Sequence, residues 1–273
     1  MPYANIGDIS IYYEMSTPET LSASRVLFIG GTGGDLRMKP NIMNSPLAKR
    51  FTILAFDQRG LGQTRCTEGP YTMAQYADDA AALMTHVGWQ TAHVYGVSFG
   101  GMVAQHLAIN HPEHVDKLVL ACTSCGGIGT ASYPLHNIHD LQGRDRFEFM
   151  MAISDSRRNI DWQQKNPDKV EKSWLFSVAQ RKEIVETEAS IRGAYFQIEA
   201  RKDHDTSGHL RDIFSKTFIC GGKYDALAPP SNLEDLNKGI ANSELSFYEG
   251  GHLFLIQDRN ALKDIEAFLS GPL

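Results

Sequence analysis

Ser98 stands in the run Gly96-Val97-Ser98-Phe99-Gly100, a serine flanked at two residues on either side by glycine. A serine hydroxyl is a weak nucleophile at neutral pH and attacks a carbonyl only when a base removes its proton. The residue placed for that work is His252, in Glu249-Gly250-Gly251-His252, a glycine-bearing loop directly after a strand-like run around Phe247. An imidazole that takes up a proton needs a carboxylate to fix its tautomer and stabilise its cation. Asp225 is the candidate: it follows the apolar run Phe218-Ile219-Cys220, whereas no acid occurs at Cys122 to Cys125 after the preceding run. Ser98, Asp225 and His252 then occur in the chain order of a nucleophile-elbow enzyme.

An attacked carbonyl becomes an oxyanion, which backbone N–H groups aimed at it stabilise. Phe99, at the start of the helix that follows Ser98, offers one such amide, and Thr32 in Gly30-Gly31-Thr32-Gly33-Gly34 is expected to offer the second. The same glycines do not make a dinucleotide fingerprint, because G-x-G-x-x-G requires glycine where the chain has Leu36.

These residues need a frame that brings distant loops to one edge. Tyr3 to Ile6 and Ile9 to Glu14, separated by Gly7-Asp8, predict a hairpin. Short runs follow at 26–29, 53–56, 92–95, 115–120, 218–220 and 245–247, most of them apolar on both alternating faces, as buried parallel strands require. Helical spacing fills 73–87, 102–109, 233–240 and 261–269. Strand and helix in alternation predict a doubly wound, mostly parallel α/β sheet, with the site at the carboxyl ends of its strands. The elbow has the required context, since Ser98 follows one strand and opens one helix.

From about Gly127 to Thr206 the alternation stops: helical patterns persist without a buried strand, so the segment reads as an insertion. Its aromatic and methionine residues, Phe147, Phe149, Met150, Met151, Trp162, Trp174 and Phe176, are expected to form its own core, with the lining of an apolar pocket as the alternative.

Composition removes several other classes. With 42% hydrophobic and 21% charged residues among 273, the chain can bury a sizeable core. A formal charge of −6 and no basic run longer than a pair such as Arg157-Arg158 argue against nucleic-acid binding. No apolar run reaches membrane-spanning length and no leader pattern opens the sequence, so a cytoplasmic setting without membrane attachment is expected. Four cysteines are too few for a disulfide framework, and Cys122-Thr123-Ser124-Cys125 has no companion pair at zinc spacing. His111 and His114, near the end of the helix after Ser98, are expected to serve a helix terminus.

Taken together, Gly30 to Gly34, Asp57-Gln58-Arg59-Gly60-Leu61-Gly62, the Ser98 elbow, Asp225 and His252 resemble the α/β-hydrolase superfamily across essentially the full chain. Gly33-Gly34-Asp35-Leu36-Arg37-Met38 is similar to the corresponding loop of 3-oxoadipate enol-lactonases and related esterases. The usual His-Gly before that loop is Gly30-Gly31 here. The resemblance implies an α/β-hydrolase core at 1–126 and 207–273, a helical cap at 127–206, and hydrolysis of a small ester or lactone substrate without metal or organic cofactor. Serine at position 98 excludes relatives that use a carboxylate nucleophile. Carbon-carbon bond hydrolysis of a diketone, acyl transfer, and ligand reception without turnover are compatible with the same three residues.

Overall fold

The computed structural model describes residues 2–19, 23–127, 131–138, 140–182, 184 and 187–272. Among these residues nine strands form one sheet: β1 (Tyr3–Ile6), β2 (Ile9–Met15), β3 (Arg25–Ile29), β4 (Thr52–Phe56), β5 (Arg65–Cys66), β6 (Ala92–Val97), β7 (Val115–Ala121), β8 (Lys216–Gly222) and β9 (Ser243–Tyr248). Their order is β1-β2-β4-β3-β6-β7-β8-β9, with the two-residue β5 pairing along β2. The hairpin pairs Tyr3 with Tyr12 antiparallel, and β2 meets β4 antiparallel. From β4 to β9 every pairing is parallel.

Successive residues of these strands bury on opposite faces. Leu27, Leu54, Leu118, Leu120 and Ile219 join one core layer, while Val26, Ile53, Ala55, Val119, Phe218 and Cys220 join the other. That explains runs apolar at every position: both faces of the parallel strands are covered. The first layer is closed by α2 (Met73–His86), α3 (Phe99–Asn110) and α8 (Pro230–Gly239); the second by α1 (Leu47–Arg50) and α10 (Arg259–Ser270). Thr72 caps α2 in a reciprocal box with Gln75, and Asp258 caps α10. The carboxyl end of α10 is held by a buried Lys117, whose Nζ donates to the carbonyls of Phe268, Leu269 and Gly271 at 2.6–3.2 Å. Cations at helix carboxyl ends satisfy orphan carbonyls and oppose the dipole.

Between β7 and β8 lie α4 (Gly143–Ser154), α5 (Ile160–Lys165), α6 (Pro167–Arg181) and α7 (Glu188–Lys202), and no strand occurs there among the described residues. The expected core of this insertion forms in part. Phe147, Phe149, Met150, Met151, Trp162 and Trp174 are half-buried, and Phe176 is exposed. Phe149 and Met150 pack with Leu135 and Ile138 of the same insertion, Phe147 meets Trp174 edge-on, and Leu227 from the loop beside Asp225 joins the cluster from the core. Among the described residues, no helix is long and apolar enough to cross a membrane.

His111 is not primarily a terminus-binding side chain. Its ring lies 2.7 Å from the carboxylate of Asp78 on α2, and the ring of His114 meets the Gln90 carbonyl. Cys122 and Cys125 are both buried, and burial pushes the Cys122 thiol well above its ordinary range.

Candidate active site

Ser98 sits in the turn from β6 into α3 with φ 55 and ψ −117. A non-glycine residue with positive φ costs on the order of 1–3 kcal/mol and persists only where its surroundings enforce it. Here they do: Ser98 N–H donates to the Ala121 carbonyl at 2.8 Å, and the Ser98 carbonyl accepts from Thr123 Oγ1 at 2.8 Å and Gly101 N–H at 2.9 Å. The tight path needs two glycines. A Cβ on Gly100 would collide with the Ile29 carbonyl, and one on Gly96 with the Gly100 carbonyl.

The loops after β8 and β9 bring the other two residues to this turn. His252 Nε2 lies 2.9 Å from Ser98 Oγ, and His252 Nδ1 lies 2.7 Å from Asp225 Oδ2. Asp225 is 4% exposed, and its Oδ1 accepts the N–H groups of Leu227 at 2.8 Å and Ala228 at 2.9 Å. A carboxylate held as an acceptor leaves Nδ1 as the donor, so the free lone pair of the imidazole is on Nε2, toward the serine.

The insertion is wired into the same loops. Ser154 at the end of α4 accepts the His252 N–H at 2.6 Å, Ile153 accepts the Ala226 N–H at 3.0 Å, and Ser156 N–H donates to the Tyr224 carbonyl at 2.9 Å. A Cβ on Gly251 would strike the Ser154 carbonyl, which is why glycine precedes His252. Sequence reasoning did not find these contacts, because they are made by backbone atoms whose residue types carry no signal.

Facing Ser98 is the glycine loop. A Cβ on Gly31 would come 3.5 Å from the Ser98 Cβ, so the loop backbone and the serine are in close approach. Four bonds hold the loop: Gln58 Nε2 to the Gly30 carbonyl (2.9 Å), Gly34 N–H to the Gly31 carbonyl (3.1 Å), Gly33 N–H to Gln197 Oε1 (2.8 Å), and Leu36 N–H to Asp57 Oδ1 (2.7 Å). The N–H groups of Thr32 and Phe99 donate to no partner among the described residues.

Asp57 is 1% exposed, its other oxygen accepts the Gln63 N–H at 2.8 Å, and desolvation pushes its carboxyl up to about 6 despite those bonds. Two residues off, Arg59 is buried against Asp79 of α2 in a bidentate pair at 2.7 and 2.9 Å. Asp57, Gln58 and Arg59 thus join the glycine loop to the core. Gln197 is the residue that sequence reading missed altogether: fully buried on α7, it reaches the glycine loop from the insertion. A glutamine in an amphipathic helix ordinarily reads as a solvent residue.

The three clustered side chains offer a nucleophile, a base in line with it and an acid behind the base, beside two unused amides. A family model described as alpha/beta hydrolase fold matches residues 24–258. The chain is 27% identical over 269 residues to a protein of Azorhizobium caulinodans named for carbamate hydrolysis, RutD, covering 93% of this chain and 92% of that one. It is 26% identical over 250 residues to a poly(3-hydroxyalkanoate) depolymerase of Ectopseudomonas oleovorans, covering 88% and 82%. The enol-lactonase of Burkholderia xenovorans shares the fold at a TM-score of 0.77 and 20% identity, covering 99% of this chain and all of the other.

Proposed function

The chain belongs to the alpha/beta hydrolase fold family and is a hydrolase, and from that premise we propose that it cleaves a carboxylic ester or lactone through an acyl-Ser98 intermediate. The observation that carries the reading is the relay of Ser98 Oγ, His252 and Asp225 at 2.9 and 2.7 Å.

In the first step Ser98 Oγ bonds to the carbonyl carbon as its proton passes to His252 Nε2. The imidazolium is stabilised by Asp225, which stays ionised. The carbonyl oxygen, now negative, takes hydrogen bonds from the Thr32 and Phe99 amides. Collapse breaks the bond to the leaving oxygen, which receives the proton from His252 Nε2. In a lactone that alcohol remains tethered to the acyl group. Water then attacks the acyl-serine with His252 again the base, and the acid departs as Ser98 regains its proton.

In this reading residues 127–206 act as a cap over the site, a role favoured by the bonds from Ser154 and Ile153 to the histidine and aspartate loops. Four cysteines in 273 residues, too few for a disulfide framework, fit a reducing, cytoplasmic compartment. The test is a burst of alcohol on mixing the protein with activated short-chain esters, together with labelling by a fluorophosphonate that maps to Ser98. A protein with neither burst nor label overturns the proposal.

A further inference from the structure

Arg201, in the last turn of α7, is 9% exposed and faces no carboxylate among the described residues. Its Nη2 donates to the Tyr133 carbonyl at 2.8 Å, and its Nε and Nη1 donate to no described residue. A buried guanidinium without a counter-charge is costly. Burial pulls Arg201 down to about 10, which still leaves it charged at neutral pH.

The guanidinium lines a cleft of about 320 Å³ shared with Met102, Ser124, Ser132, Pro134 and His204. Ser124 and Ser132 are buried with their hydroxyls 2.9 Å apart and make no other side-chain bond among the described residues. Two hydroxyls joined by one hydrogen bond leave one O–H without an acceptor. His204 adds no competing charge: its ring meets the Ser124 carbonyl at 3.0 Å and His106 at 3.2 Å, and burial pulls it down to about 4, so it is neutral. The two acids at the rim do not complete Arg201, because Asp203 is exposed and Asp205 spends Oδ1 on the N–H and Oγ of Ser207.

A cation, a spare hydroxyl proton and apolar Met102 and Pro134 walls in one concavity define a ligand by complement. We propose that this cleft binds a small organic carboxylate, one face of which meets the Arg201 guanidinium and the Ser124–Ser132 hydroxyl pair. The planar fork of arginine matches a carboxylate, and charge-assisted bonds of this kind are about twice as strong as neutral ones. None of Ser98, Asp225 and His252 lines the cleft; Met102 lies one helical turn beyond Ser98. The site is therefore separate from the nucleophile and stands whether or not acyl transfer is the reaction.

The experiment is calorimetric titration of the intact protein with butyrate and with butyramide, before and after Ser98 is blocked by a fluorophosphonate. Saturable binding of butyrate but not of the amide is expected, unchanged by the block. Arg201→Gln should weaken it at least tenfold, Arg201→Lys less, and Ser132→Ala severalfold. Ser132→Ala carries the test if the arginine variants fail to fold. Steady-state rates on a neutral ester then sort the source: butyrate that raises KM alone stands in for the substrate's own carboxylate, and butyrate that changes kcat is a separate effector. Absence of saturable butyrate binding overturns the proposal. So does its loss on blocking Ser98, which would place the carboxylate at the nucleophile instead.

Discussion

Gln197 Oε1 accepts the Gly33 N–H at 2.8 Å, a bond that crosses from the inserted α7 to the glycine loop facing Ser98. It is the one side-chain tether from the insertion to that loop among the described residues, while Gln58 and Asp57 hold the loop from the core side. Removing an oxyanion donor outright costs roughly 10²–10³ in kcat, and loosening the loop that carries one costs less. Gln197→Leu should therefore lower kcat about tenfold on a short-chain ester with KM little changed. A rise in KM at constant kcat would instead show that Gln197 only helps hold substrate.

Ser98→Ala removes the proposed nucleophile and should reduce turnover by at least about 10⁴-fold, while Asp225→Asn, which offers His252 an amide in place of a carboxylate, should fall into the same range. The asparagine variant should still be labelled by a fluorophosphonate, more slowly than the parent, because its serine is present but poorly activated. Equal labelling rates for the two proteins would remove Asp225 from the relay.

The parallel strands were readable because most of them are buried on both faces and so are apolar over most of their length, and the elbow was readable because strained turns admit few residue types. Ser98, Asp225 and His252 meet as their chain order and their places after β6, β8 and β9 suggest. What the sequence hid were interactions made through backbone atoms and long-range geometry. Ser154 holds His252 by a carbonyl that any residue possesses. Asp57, Gln58 and Arg59 could be matched to a family pattern but not explained until their separate anchors, Leu36, Gly30 and Asp79, were in view. The β5 strand is two residues long, too short for any periodicity, and its pairing depends on β2 alone. The aromatics of the insertion were legible only in part for a related reason: periodicity shows that a helix face is apolar, and not which surface covers it.

Asp57 gives the stability a pH dependence of definite sign. Its carboxyl is raised from 3.8 to about 6 by desolvation, so between those values the folded chain holds a proton that the unfolded chain has released. Stability contributed by that proton is present in full below the unfolded value and is lost as pH rises through about 6. The difference amounts to about 3 kcal/mol at neutral pH. Asp57→Asn lacks the titration, so its Tm minus that of the parent should grow more positive, by several degrees, between pH 4 and pH 7. Thermal scans of both proteins across that range make the comparison, and a gap independent of pH would refute it.

Arg59 and Asp79 are about 5% and 7% exposed, so deleting either leaves a buried charge without its bidentate partner. Asp79→Ala strands a buried guanidinium and should cost about 3–5 kcal/mol in denaturant unfolding. Asp8, which also meets Arg59 at 3.2 Å, is half-exposed, so Asp8→Ala should cost under about 1 kcal/mol. Replacing both buried partners, as Arg59→Met with Asp79→Leu, removes the two desolvation costs together and should recover most of the loss seen in Asp79→Ala. Because Arg59 follows Asp57 and Gln58, the two residues that hold the glycine loop, the single variant should also lose esterase activity at temperatures where it is still folded. The double variant tests whether that loss comes from the stranded charge: activity that returns with stability assigns it to the charge, and activity that stays low assigns it to the ion pair's part in fixing the backbone at positions 57–59.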